Sequence, residues 1–237
     1  LLMAGDTQRA VQVGLRNLSD APVTLAVEAG PLEGPNGTFP QAVTWRDPDS
    51  ARLAYEIGVQ APVQLVVPDP AYALAPAPFD QAEAELGRAG LAAGARYLAV
   101  CPRPWLGRVG FLDSLGSALE KAGAALGLDT LLIPFHEIQD PSVCETLAAR
   151  PGMAGRAHVL PAVPSPAVLA AVLGGAELVV AMRLHSGILA AVAGTPAVVI
   201  DYDPKTRAFA TQTGQTPWVV GVDDLEGPGA GAPPPAP

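Results

Sequence analysis

The chain has 237 residues, 49% of them hydrophobic, with 14 Lys and Arg against 23 Asp and Glu and a formal net charge of −9 at pH 7. That acidity excludes nonspecific nucleic-acid binding, which needs clustered Lys and Arg to neutralise phosphates, so an anionic ligand has to be met by a local pocket. No stretch reaches the roughly 18 uninterrupted apolar residues of a membrane span, because 166–182 is broken by Gly174, Gly175 and Glu177, and the expectation is a cytoplasmic protein.

In chain order, Arg9 to Leu18 fits a helix and Val23 to Val27 alternates as a strand that Gly30-Pro31 ends. The loop PLEGPNGTFP leads to a strand at Val43 to Trp45. A helix then runs to Ile57, capped by Asp47 or Asp49 and closed by Gly58, and a strand at Val63 to Val67 follows. Residues 1–75 thus read as an N-terminal α/β domain. Residues 76–94, proline-led and then polar and alanine-rich in a stretch that reads as a loop or a short helix, are expected to be a linker.

From residue 95 the alternation becomes regular. Strands are predicted at Tyr97 to Cys101, Thr130 to Ile133, His158 to Leu160, Leu178 to Ala181, Ala197 to Ile200 and Trp218 to Val220. Helices are predicted at Phe111 to Leu126, Ser142 to Ala149, Pro166 to Leu173, Ser186 to Ala193 and Lys205 to Gln212. Strict alternation implies a parallel sheet covered on both faces, a Rossmann-like domain over 95–222. The Gly/Pro-rich remainder, 223–237, reads as a tail. The start LLMAGDTQRA lacks the basic region and long apolar core of a secretory signal. Cys101 and Cys144 show neither CxxC nor Cys/His spacing, so reduced core thiols are expected and no metal site.

The polar residues concentrate in ELVVAMRLHSGILAAVAGTPAVVIDYDPKTR, a strand, helix, strand unit in which Gly194 closes the helix. Arg183, His185 and Ser186 follow its first strand; Asp201, Asp203 and Lys205 follow its second. Arg103 follows the strand at 97–101, and His136 and Asp140 follow the one at 130–133. In an open parallel sheet the carboxyl ends of the strands form the ligand-binding edge, so these distant residues are expected to converge. Lysine occurs only at Lys121 and Lys205.

This stretch resembles the signature of the polysaccharide pyruvyl transferases: a strand ending in Arg-Leu-His, an alanine-rich helix, a Gly-x-Pro turn and a strand ending in Tyr-Asp-Pro-Lys. TWRDPDSARLAYEIGV, VVPDPAYAL, CPRPW and IPFHEIQD are similar to further segments of that family, and the resemblance covers about residues 24–215. Family members usually carry a larger N-terminal domain with a Ser-Gly-Gly-Gly segment. Here only Ala29-Gly30-Pro31-Leu32 resembles the stretch that normally follows it, so the N-terminal domain reads as abridged.

The resemblance implies a GT-B-like α/β fold of two Rossmann-like domains with parallel sheets. It also implies transfer of pyruvate from phosphoenolpyruvate to a sugar, forming a ketal with release of phosphate and without a cofactor. The acceptor it implies is a lipid-linked cell-wall or exopolysaccharide precursor, met transiently at the membrane surface; in some bacteria such ketals anchor surface-layer proteins. Phosphoenolpyruvate carries a phosphate and a carboxylate, so Arg103, Arg183 and Lys205 are the expected cations. His185, with an unperturbed imidazole pKa of about 6.5, is the expected acid or base, and Lys205 its catalytic companion. Ser186 and the N–H groups at the start of its helix, with Asp203, are expected to bind substrate.

Each residue also has a structural reading. His185 can be a capping or core group, Arg183 can pair with Glu177 or a domain-interface acid, Arg103 can stack on Trp105, and Asp203 can cap the helix that holds Lys205. Arg46, Asp47 and Ser50 read as an N-cap with an ion pair, His136 and Asp140 as either an acceptor cleft or a solvated loop, and His158 as structural. Two other functions fit the same fold: a glycosyltransferase with a nucleotide-sugar donor, and a noncatalytic polysaccharide-binding protein.

Overall fold

The computed structural model describes residues 42–59 and 63–226. The chain divides into two compact units, one up to Pro70 and the other from Ala71. In the first, β1 (Ala42–Trp45) and β2 (Val63–Val66) pair in parallel with Ala42 opposite Val63. Between them runs α1 (Pro48–Glu56), started by Asp47, whose side chain accepts from Ser50 N at 2.7 Å and Ser50 Oγ at 2.8 Å, with Pro48 supplying a preset φ in the first turn. The expected Arg46–Asp47 ion pair is present at 3.3 Å. The helix and strand expected at 9–18 and 23–27, and the segment compared with the family's glycine-rich loop, lie outside the described residues.

The second unit contains α2 (Phe79–Arg88), β3 (Tyr97–Cys101), α3 (Gly110–Leu126), β4 (Asp129–Leu132), α4 (Pro141–Ala148) and β5 (Ala157–Val159). It continues with α5 (Pro166–Gly174), β6 (Leu178–Ala181), α6 (Leu184–Ala193), β7 (Ala197–Asp201), α7 (Pro204–Gln212), β8 (Val219–Gly221) and α8 (Val222–Glu226). Its six strands are all parallel, in the order β5-β4-β3-β6-β7-β8. The predicted elements from 95 onward are all there, with ends shifted by a residue or two, as frayed termini allow.

Strand alternation divides the core into two layers. Tyr97, Ala99 and Cys101 of β3 pack with α2, α5 and α6 through Leu86, Leu169, Leu173 and Leu189. Leu98 and Val100 point to the other face, against Phe111, Leu115 and Leu119 of α3 and Leu147 of α4. All five residues of β3 are buried, which is why this central strand is apolar throughout rather than alternating. Its one hydroxyl, Tyr97 Oη, donates to Val172 O at 2.6 Å, and burial pushes the phenol pKa up.

Two expectations are corrected. Residues 76–94 are not a linker: α2 lies among them, with Ala82 and Leu86 buried against α5. Its polar composition hides a narrow apolar stripe, two positions four residues apart, while Asp80 and Glu83 face outward. The tail does not start at 223 either, because 223–226 belong to α8, whose Leu225 packs on the core layer of α3.

Candidate active site at the sheet edge

Strands β3 and β6 are neighbours, Cys101 opposite Ala181, yet the chain leaves β3 toward β4 on one side and β6 toward β7 on the other. At such a reversal the loops diverge and leave a crevice beyond the carboxyl ends of the strands. Arg103 stands two residues beyond β3 and Arg183 two beyond β6, so these two guanidinium groups flank the reversal. His185 and Ser186 lie in the first turn of α6. Asp203 and Lys205 lie at the start of α7, after the adjacent strand β7. Gly194 ends α6 in the left-handed conformation (φ 76°) expected of it. Gly187 lets α6 approach α7, since a Cβ there would meet Phe209 Cε1 at 2.7 Å.

The three expected cations have different partners. Arg183 does not pair with Glu177, which instead accepts from Arg96 Nε at 2.7 Å. Arg183 makes a two-pronged pair with Asp140: Nε donates to Oδ2 at 3.0 Å and Nη2 to Oδ1, and Nη2 also reaches Gln139 Oε1 at 3.4 Å. Asp140 is completely buried, and its Oδ2 accepts from His136 N at 2.9 Å. Lys205 Nζ lies 3.1 Å from Asp203 Oδ2, while Asp203 Oδ1 caps α7 by accepting from Lys205 N at 2.9 Å. Asp203 therefore holds both ends of Lys205, and the cap reading is the one the structure shows.

Arg103 is held by neutral groups. Its Nη1 donates to Tyr202 Oη at 2.8 Å and its Nε to Pro104 O at 3.2 Å, and its guanidinium carbon lies 4.7 Å from the Tyr202 ring centre and 5.5 Å from that of Trp105. The stacking on Trp105 is present, joined by a second ring that the sequence reading passed over. Nothing in the local sequence signals Tyr202 as a partner for an arginine 99 positions away.

Ser186 bonds within its own turn. It is buried, its Oγ donates to Arg183 O at 2.5 Å, and Ser186 N and Gly187 N also point at that carbonyl. The Ser186 hydroxyl and the N–H groups of Ser186 and Gly187 are thus engaged with the Arg183 carbonyl. The same serine contacts the Cys101 thiol, whose pKa burial pushes up; burial likewise pushes Cys144 up to about 12. Both cysteines are buried and free, as expected.

His185 is exposed at the start of α6. His136 differs from it: its Nδ1 accepts from Ile138 N and Gln139 N, both at 3.3 Å, which in the neutral ring places the proton on Nε2. It lines an open cleft of ≈440 Å³ with Phe135, Glu137, Ile138, Val163 and Pro164. His158 lies 3.8 Å from Asp129, away from this edge of the sheet, and its structural reading holds. Asp201, at the end of β7, accepts from Thr206 Oγ1 at 2.7 Å and Arg207 Nε at 2.8 Å and so ties strand to helix beneath Lys205.

Among solved structures the chain is similar to Methanocaldococcus jannaschii UDP-GlcNAc 2-epimerase in complex with UDP-GlcNAc and UDP, at 10% identity and TM-score 0.50 over 78% of this chain and 52% of that one. It is also similar to E. coli ADP-heptose LPS heptosyltransferase II (10%, TM-score 0.45, 61% and 43%) and to Anabaena HepE in complex with UDP-glucose (13%, TM-score 0.45, 79% and 62%). The chain spans 43% to 62% of the lengths of these proteins, and the likeness to the epimerase concerns the fold alone, α/β with a six-stranded parallel sheet in the second unit. No curated protein matches it. The model of one family, Polysaccharide pyruvyl transferase, matches residues 38–204, a span that takes in Arg103, Arg183, His185, Ser186 and Asp203 and stops one residue short of Lys205. With that match over most of its length, the chain belongs to the polysaccharide pyruvyl transferase family.

Proposed function

We propose that the protein transfers the pyruvyl group of phosphoenolpyruvate to a sugar of a cell-wall or exopolysaccharide unit, forming a cyclic ketal and releasing phosphate. The observation that carries this reading is the gathering of Arg103, Arg183, His185 and Lys205 at one edge of the sheet in a chain of this family. A donor with a phosphate and a carboxylate needs fixed cations. Arg103 offers an undiminished charge, Arg183 offers the edge that Asp140 leaves uncovered, and Lys205 can turn from Asp203 to the donor.

In this reading a proton adds to the methylene carbon, leaving cationic character on the central carbon, which one sugar hydroxyl attacks to form the first C–O bond. A second hydroxyl of the same sugar then attacks that carbon and the bond to phosphate breaks. Of the two hydroxyl protons, one balances the new methyl group and the other leaves with phosphate. His185, exposed in the first turn of α6, moves these protons, and Lys205 stabilises the departing phosphate. Phosphoenolpyruvate is the donor substrate, and no resident cofactor or metal takes part.

The acceptor is a lipid-linked saccharide, met at the cytoplasmic membrane surface. No helix among the described residues is long and apolar enough to cross a membrane. The test is phosphate release from phosphoenolpyruvate by the full chain, with and without lipid-linked wall saccharides, in wild type, His185→Ala and Lys205→Ala. Acceptor-dependent release that both substitutions abolish in folded protein is expected. No release with any saccharide, and no thermal stabilisation by phosphoenolpyruvate, would refute the reading.

A further inference from the structure

The formal charge of the protein is −9, and the two other site cations each stand against an acid, Arg183 against Asp140 and Lys205 against Asp203. Arg103 has no carboxylate partner among the described residues. What fixes it instead is Tyr202, through a 2.8 Å bond from Nη1 to Oη, with the guanidinium carbon 4.7 Å from the ring centre. Tyr202 is itself fixed: its ring meets Trp105 edge-on at 4.6 Å and 61°, and both rings pack on the core layer of α3. Lys205 Nζ lies 5.7 Å from the centre of the same ring, so one aromatic residue stands beside two cations from the ends of two different strands.

An arginine held by a carboxylate is well placed but largely neutralised at short range. One held by a phenol oxygen and two ring faces is placed equally well and keeps its whole field, because its partners carry no net charge. For a donor with two anionic groups that difference falls on binding rather than on the chemical step. We propose that Tyr202 is a positioning residue for the donor, a neutral clamp that aims Arg103 at the anionic groups of phosphoenolpyruvate without cancelling its charge. This rests on the pyruvyl-transfer reading for the identity of the ligand.

The test is phosphate-release kinetics on the full chain together with calorimetric titration of phosphoenolpyruvate alone, for wild type, Tyr202→Phe and Tyr202→Leu. Tyr202→Phe removes the oxygen and keeps the ring. It should raise KM for phosphoenolpyruvate about three- to tenfold, the net worth of one ordinary hydrogen bond, with kcat within about twofold. Tyr202→Leu removes ring and oxygen together and should raise KM about 30-fold, so the phenyl ring of the milder variant restores part of the loss. A purely structural role would instead lower the melting temperature and kcat while leaving KM in place, and that result, or a wild-type KM in Tyr202→Phe, overturns the proposal. A wild type that binds phosphoenolpyruvate in a Tyr202-dependent way but releases no phosphate with any acceptor removes the proposed reaction and leaves the clamp standing. A wild type that does not bind it removes both.

Discussion

Replacing Arg183 by alanine tests the Arg183–Asp140 pair, and the expected cost can be worked from the surroundings of the two groups. Asp140 has no exposed side-chain surface and Arg183 has 17%. Removing one partner of a buried pair strands the other charge and typically costs about 3–5 kcal/mol. Asp140 keeps one bond, from His136 N at 2.9 Å, which offsets part of its desolvation and puts Arg183→Ala near the lower end, about 3 kcal/mol. Asp140→Ala should cost less, about 2 kcal/mol, since the stranded Arg183 has some contact with water and can turn toward it. The double variant Asp140→Leu with Arg183→Met leaves no charge behind and should lie within about 1.5 kcal/mol of wild type. Urea unfolding of wild type, the double variant and its two component singles, Asp140→Leu and Arg183→Met, with free energies extrapolated to water, closes the cycle, and the alanine variants are measured beside it. If Arg183→Ala costs under about 1 kcal/mol, or if the double variant costs the sum of the singles, the pair is not a coupled buried unit and the reasoning fails.

Gly187→Ala should destabilise by about 1–3 kcal/mol, because its Cβ would stand 2.7 Å from Phe209 Cε1 between two packed helices; a melting temperature equal to wild type would show that α6 and α7 separate freely. Cys101 and Cys144 are buried with thiols whose pKa burial raises, so a thiol reagent at pH 8 should label neither in the folded protein and both in denaturant. Fast labelling of the native protein would contradict the packing around them. Burial pushes the Asp47 carboxyl up, but the bonds from Ser50 N and Oγ and the Arg46 guanidinium outweigh it and leave the pKa below the ordinary 3.8. A depressed folded pKa means that the cap is fully effective above pH 3.8 and is lost as pH falls through the lower folded value. The stability difference between wild type and Asp47→Ala, about 1 kcal/mol near neutrality, should therefore shrink only below that pH. A difference that fades already between pH 7 and 5 would assign the effect to another group.

Much of this protein was legible from periodicity and punctuation. The run Tyr97 to Cys101 is apolar on both faces because it is the central strand, and Gly194 followed by Thr195-Pro196 can only end a helix, so β3, β6, α6 and β7 lie where local chemistry puts them. The same signals placed Arg103, Arg183, His185 and Lys205 at strand ends, and so at one edge of a parallel sheet. Strand order was a different matter: alternation implies a parallel sheet but not that β3 and β6 are neighbours, and that adjacency alone puts Arg103 and Arg183 on either side of the crevice.

Partner choice was likewise decided in three dimensions. Arg183 has Glu177 six positions away and pairs with Asp140, 43 positions away, because the end of β6 faces the β4–α4 loop and not the strand's own start. The stretch at 79–88 reads equally as a loop or a short helix, since two buried side chains in ten make too thin a stripe to decide, and only α5 beside it shows that they are core. Local sequence determines what each segment becomes, through torsional preference and the burial of one face. Which distant group holds Arg103 and Arg183, and so how much charge each presents to a ligand, depends on which strand ends lie side by side, and that is settled only when the sheet assembles, whereas the partner of Lys205 is the local cap Asp203.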